Sequence, residues 1–93
     1  MKVTKILKFG ATWCQPCRIL SPIFHKVSVM NEFKDIDFYD LDIDDPENRE
    51  LVENYQIRNV PTVIAVDENN EVVRKIVGAV PEYKFVAMLK ELI

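Results

Sequence analysis

The sequence predicts an α/β fold, a mixed four-stranded sheet with helices on both faces, and three observations lead there. Short β-branched and aliphatic runs alternate with segments of helical period in the order strand, helix, strand, helix, strand, strand, helix. An amphipathic helix separates the first two strands, which is the connection a parallel pair requires. Only Asp67, Glu68, Asn69 and Asn70 separate the last two, and these residue types accept turn geometry, so that pair is an antiparallel hairpin.

The first strand is Val3 to Phe9, rich in β-branched and apolar residues and ended by Gly10. From Cys17 onward Ile19, Leu20, Ile23, Phe24 and Val27 recur at helical spacing, with Arg18, His25 and Lys26 toward the other side. Pro22 lies inside this helix, where it removes one backbone donor and bends the helix without ending it. Ile36 to Ile43 alternates apolar residues with Asp37, Asp40 and Asp42, the pattern of a strand with one wetter face. Asp45 as a cap and Pro46 at the first position open a second helix, with Leu51, Val52 and Tyr55 as its packing face. Val60 to Val66 and Glu71 to Val77 are the hairpin strands, Gly78 breaks the second, and Pro81 opens a last helix packed through Phe85, Met88, Leu89 and Leu92.

The chain has 93 residues, the length of one domain spanning 1–93, with a radius of gyration of roughly 12 Å. It is 48% hydrophobic and 29% charged with only two glycines, which argues against disorder. Twelve Lys and Arg stand against 15 Asp and Glu, a net charge of −3 that leaves no basic excess for a nucleic-acid partner. The acidic residues between Asp35 and Glu53 read as a solvated face in preference to a recognition surface. The longest apolar run, Val60 to Val66, is far short of the ~20 residues that span a bilayer, so no membrane partner is expected. Lysines interrupt the amino end too often for a signal peptide, and two cysteines are too few for a secreted disulfide scaffold; the expected location is the cytoplasm. Nothing in the pattern calls for an obligate dimer, and a monomer is expected.

The informative segment is Trp13-Cys14-Gln15-Pro16-Cys17. A Cys-x-x-Cys where a strand gives way to a helix reads as a dithiol redox motif. At the helix start, Cys14 meets unpaired backbone N–H groups and the positive end of the helix dipole, both of which favour thiolate over thiol. Cys14 is therefore the expected attacking sulfur, exposed, with Cys17 beneath it three residues on as the resolving one. Pro16 stiffens the loop, and Trp13 offers a broad apolar surface for docking a polypeptide beside the nucleophile. A structural zinc site would want four ligands, and beyond the two thiols the chain offers only His25, which the helix pattern points away, so no metal is expected. An inert disulfide gains little from so short a loop.

These residues resemble the thioredoxin family. Ala11-Thr12-Trp13-Cys14, the proline before Cys17, Pro22, Asp42-Ile43-Asp44, Ile57-Arg58-Asn59-Val60-Pro61-Thr62 and Val77-Gly78-Ala79 match its pattern in order across nearly the whole chain. The resemblance implies a thioredoxin-like fold and a protein-disulfide reductase that binds no cofactor. Its electrons would come from NADPH through a thioredoxin reductase, and its substrates would be disulfide-containing proteins. It also implies a cis Val60–Pro61 peptide facing the dithiol, with Trp13, Val60, Pro61 and Gly78 forming the substrate-binding surface. Two other readings remain: a glutathione-linked glutaredoxin-like protein, and a non-catalytic binding module on the same fold.

Three departures from the family stand out. The motif arrives so early that the usual first strand and helix are expected to be absent, which would trim the fold to a β-α-β-α-β-β-α core. Gln15 stands where glycine usually follows the nucleophile, a position able to tune the loop and the reduction potential. Lys8 occupies the strand position of the family's buried aspartate, and Asp40 that of its lysine partner. A buried charge persists only when paired or when it gives up its proton, so Lys8 and Asp40 are expected to form a sign-reversed pair beneath Cys17. A lysine there would favour thiolate, or, if neutral, could itself take the proton.

Overall fold

β1 (Val3–Gly10) runs through the middle of a sheet ordered β2-β1-β3-β4 in the structure, a computed structural model that describes residues 2–93. It pairs in parallel with β2 (Asp37–Asp42) and antiparallel with β3 (Thr62–Asp67), and β3 pairs antiparallel with β4 (Val72–Val77). All six residues of β3 are buried, which is why its sequence is almost continuously apolar and does not alternate. The radius of gyration is 12.3 Å, as expected for this length.

Among the described residues three α-helices flank the sheet: α1 (Gln15–Ser28), α2 (Arg49–Asn54) and α3 (Glu82–Leu92). Because side chains alternate across a strand, Ile6, Val63 and Ala65 face one side and Leu7, Ile64 and Val66 the other. The first side receives Leu20, Phe24 and Val27 of α1 and Phe85 and Leu89 of α3. Phe24 stacks on Phe85 at 5.9 Å and meets Phe38 edge-on at 5.6 Å between centroids. The second side is covered by Leu51, Val52 and Tyr55 at α2. No described helix is long and apolar enough to cross a membrane.

Several expectations shift in detail. α1 begins at Gln15, two residues before the apolar period starts, and runs through Pro22 to Ser28. Ile19 is more than half exposed, because Cys17, Leu20, Phe24 and Val27 already make the inward line and Ile19 precedes Leu20 by about 100° of helix. The second helix divides into a 3₁₀ turn, Pro46–Asn48, capped by the Asp45 carboxylate, and the six residues of α2. The third strand starts at Thr62 and not Val60, Pro61 having no N–H to give a ladder. The hairpin turn rests on Asp67 at the end of β3, whose Oδ1 accepts the N–H groups of Asn69 and Glu71 at 2.8 and 3.0 Å.

Candidate active site

Cys14 and Cys17 are joined as a disulfide at the start of α1, with their Cα atoms 5.3 Å apart. Cys14 is the cap residue of that helix: it has extended backbone angles, and its Sγ accepts the Cys17 N–H at 3.3 Å. A sulfur in that place receives an N–H that a helix start would otherwise leave unpaired, which stabilises negative charge on it. Gln15 and Pro16 form the exposed first turn, where the missing N–H of proline costs nothing. The expectation of an exposed Cys14 needs correction. Cys14 is only 6% accessible against 2% for Cys17, because Ala11, Ile43 and Val60 pack around the pair.

Val60 closes the other side. Its carbonyl oxygen lies 3.7 Å from Cys14 Sγ, and the Val60–Pro61 peptide is cis. Gly78 donates its N–H to the Pro61 carbonyl at 2.8 Å and holds φ at +96°, a conformation that favours glycine. Pro61 and Gly78 are thus joined by the hydrogen bond that ends the β3–β4 pairing. Trp13 is 68% exposed, and its indole N–H donates to Asp44 Oδ2 at 2.9 Å, which orients the ring beside the motif.

Beneath the disulfide the structure brings Lys8 and Asp40 together. They are register partners on β1 and β2, and Lys8 Nζ lies 2.9 Å from Asp40 Oδ1. The Lys8 side chain is 3% accessible and that of Asp40 31%, so the ammonium is buried while the carboxylate reaches water. Gly10 makes room for this arrangement. A Cβ on Gly10 would sit 3.2 Å from Lys8 Nζ and 3.4 Å from Cys17 Sγ, so the ammonium and the sulfur both border the one spot that glycine leaves empty. A groove of about 440 Å³ opens there, lined by Lys8, Gly10, Cys17, Arg18, Asp40 and Asp42. A larger groove of about 740 Å³, near Leu7, Tyr39 and Leu51 on the α2 side, contains no cysteine. Among the described residues no group of three or more His, Cys, Asp or Glu is placed to hold a metal ion.

Three contributors escaped the sequence reading. Asp44, which binds the Trp13 indole, and Gly10, which gives the ammonium its space, were visible only as a strand end and a strand stop. His25 lies on the outer side of α1, where its spacing predicts it, and from there its Nε2 reaches to 2.8 Å from Asp40 Oδ2. Its offset of four residues from Ser21, which lines the groove, is the signal that places it over the same edge.

An oxidised Cys-x-x-Cys pair capping the first helix of such a sheet defines the class of dithiol–disulfide oxidoreductase centres. The thioredoxin family profile matches residues 1–91, and the chain belongs to that family, with Cys14 and Cys17 of its Cys-x-x-Cys motif joined as a disulfide. It is similar to Thioredoxin H5 of Oryza sativa subsp. japonica, 44% identical over 75 residues, which covers 81% of this chain and 52% of that one. It is also similar to the mitochondrial thioredoxin of Bos taurus, 40% identical over 88 residues, covering 95% and 51%. The chain thus spans about half the length of these two curated relatives. Among solved structures it resembles the reduced thioredoxin pre-protein of Schistosoma mansoni, with a TM-score of 0.79, 36% identity and coverage of 99% and 81%.

Proposed function

We propose that this protein, a single domain over 1–93, reduces disulfide bonds in other proteins by thiol–disulfide exchange. The observation that carries the reading is the Cys14–Cys17 disulfide capping α1 beside the Val60 backbone. In the reduced protein the Cys14 thiolate attacks one sulfur of a substrate disulfide, forming a mixed disulfide and expelling the other substrate sulfur as a thiolate. Cys17 then loses its proton to water in the groove, and its thiolate attacks Cys14 Sγ. The Cys14–substrate bond breaks, the Cys14–Cys17 bond forms, and the second substrate thiolate leaves; the two substrate thiolates take up protons from solvent. The dithiol is oxidised by two electrons and the substrate reduced by two.

The surrounding residues have distinct parts in this scheme. An extended substrate segment pairs with the Val60 backbone as an added strand, across a surface made by Trp13, Pro61 and Gly78. Gln15 and Pro16 hold the loop, and the Lys8–Asp40 pair supports the sulfurs, the ammonium favouring the Cys17 thiolate. The oxidised pair is returned to the dithiol by a thioredoxin reductase drawing on NADPH, with no cofactor bound to this chain. It works as a monomer in a reducing compartment, the cytoplasm.

Insulin reduction tests the reading. Cys14→Ser lowers turnover at least about a thousandfold, whereas Cys17→Ser accumulates a mixed disulfide on Cys14 visible by mass spectrometry. Full activity in Cys14→Ser defeats the proposal and leaves the binding-module reading. Turnover supported by glutathione but not by NADPH and thioredoxin reductase replaces it with the glutaredoxin-like one.

A further inference from the structure

Asp40 binds two nitrogen groups at once. Its Oδ1 meets Lys8 Nζ at 2.9 Å and its Oδ2 meets His25 Nε2 at 2.8 Å. Side-chain accessibility rises along this line from 3% at Lys8 to 31% at Asp40 and 62% at His25, a graded route from the sulfur to water. At its inner end the Lys8 ammonium and Cys17 Sγ both border the space left by Gly10. At its outer end stands the one histidine in the chain, the side-chain type whose charge ordinarily changes between about pH 5 and 8.

We propose that His25 is a positioning residue for the resolving step: its charge, conveyed through Asp40, sets how strongly the Lys8 ammonium holds Cys17 as thiolate. The proposal rests on the reading of Cys17 as the resolving sulfur. With a neutral imidazole, which can still donate Nε2–H, the carboxylate offsets the ammonium and the three groups sum to zero. With an imidazolium the carboxylate is shared between two cations and the sum is +1. The field that Lys8 exerts at Cys17 is then less cancelled, and the thiolate is favoured at the acidic end of the range, where thiols otherwise lose reactivity. The other charged groups lining the groove are Arg18 from α1 and Asp42 from β2, one of each sign. Because His25 is mostly in water, the effect has the size of an exposed ion pair.

The test follows release of thionitrobenzoate from its mixed disulfide with Cys14 in the full chain, a release that Cys17 drives. His25→Gln keeps a hydrogen-bond donor for Asp40 and removes the switchable charge. The ratio of wild-type to His25→Gln release rates should be about two- to fivefold larger near pH 5.5 than near pH 8. In an Asp40→Asn background the same comparison should give a flat ratio. Lys26→Gln, which removes a cation on the same helix paired instead with Glu82, should also be flat. A His25→Gln ratio that stays constant with pH overturns the proposal, as does a pH effect that survives in Asp40→Asn. Undiminished release from Cys17→Ser would instead remove Cys17 as the resolving sulfur, so the two failures are told apart.

Discussion

Under the middle of α1 and under its first turn, the same face of β1 does opposite things. Ile6 lies in an apolar cluster with Leu20, Phe24 and Val27, whereas Lys8, two residues along, is equally buried and charged, and Gly10, two further, contributes no side chain. One strand face thus passes from packing to charge to empty space as it nears the sulfurs. A buried ammonium contributes nothing to the core that an aliphatic residue would not supply better. What it borders is Cys17, across the space that Gly10 leaves open.

The comparison can be broken from the packing end first. Phe24→Ala removes a 1% exposed ring that touches Phe38 and Phe85, and is expected to lower unfolding free energy by about 3–5 kcal/mol in urea titrations. Turnover per folded molecule should stay near the wild-type value, since the ring lies outside the groove. Equal stability of the variant would mean that the apolar half is not the stabilising half.

Lys8→Met tests the charged half. The carboxylate left behind is already 31% accessible, so stability should change by only about 1 kcal/mol, well below the 3–5 kcal/mol of a fully buried broken pair. Cys17 should titrate at higher pH, and its attack on a mixed disulfide should slow about tenfold near neutrality. A large loss of stability with no change in that rate would make the pair structural. The smallest effect belongs to Gly10→Ala, whose methyl would sit 3.2 Å from the Lys8 ammonium. Displacement of that flexible side chain should cost about 1 kcal/mol and slow resolution in the same direction as Lys8→Met, to a lesser extent.

Much of this was legible in the sequence because local signals agreed. The strand-helix order, the Cys14-Gln15-Pro16-Cys17 spacing and the Lys8 and Asp40 substitutions each pointed to where the structure places them. Periodicity misplaced Ile19, since an apolar residue beside a helical stripe reads the same whether it faces in or out. It missed His25 for a related reason: a helix wheel assigns a side chain to water but does not say which neighbouring strand lies within its reach. Cys14 proved more enclosed than the motif suggested, because the wall that covers it comes from Ile43 and Val60, far away in the chain. Gly10 gave no signal beyond that of a strand stop, its role being set by two side chains that meet there only after folding.

The sheet's outer strand on the β2 side has a further consequence for how the molecule behaves in a crowd. β2 has no neighbour beyond it among the described strands, and it bears Asp37, Asp40 and Asp42. An open margin of this kind is a template for joining another chain, and it is blunted when charge lines it. Two copies meeting β2 to β2 would set aspartate against aspartate. The acidic margin therefore discourages edge-to-edge stacking of sheets, while one of its carboxylates, Asp40, holds the buried ammonium of Lys8.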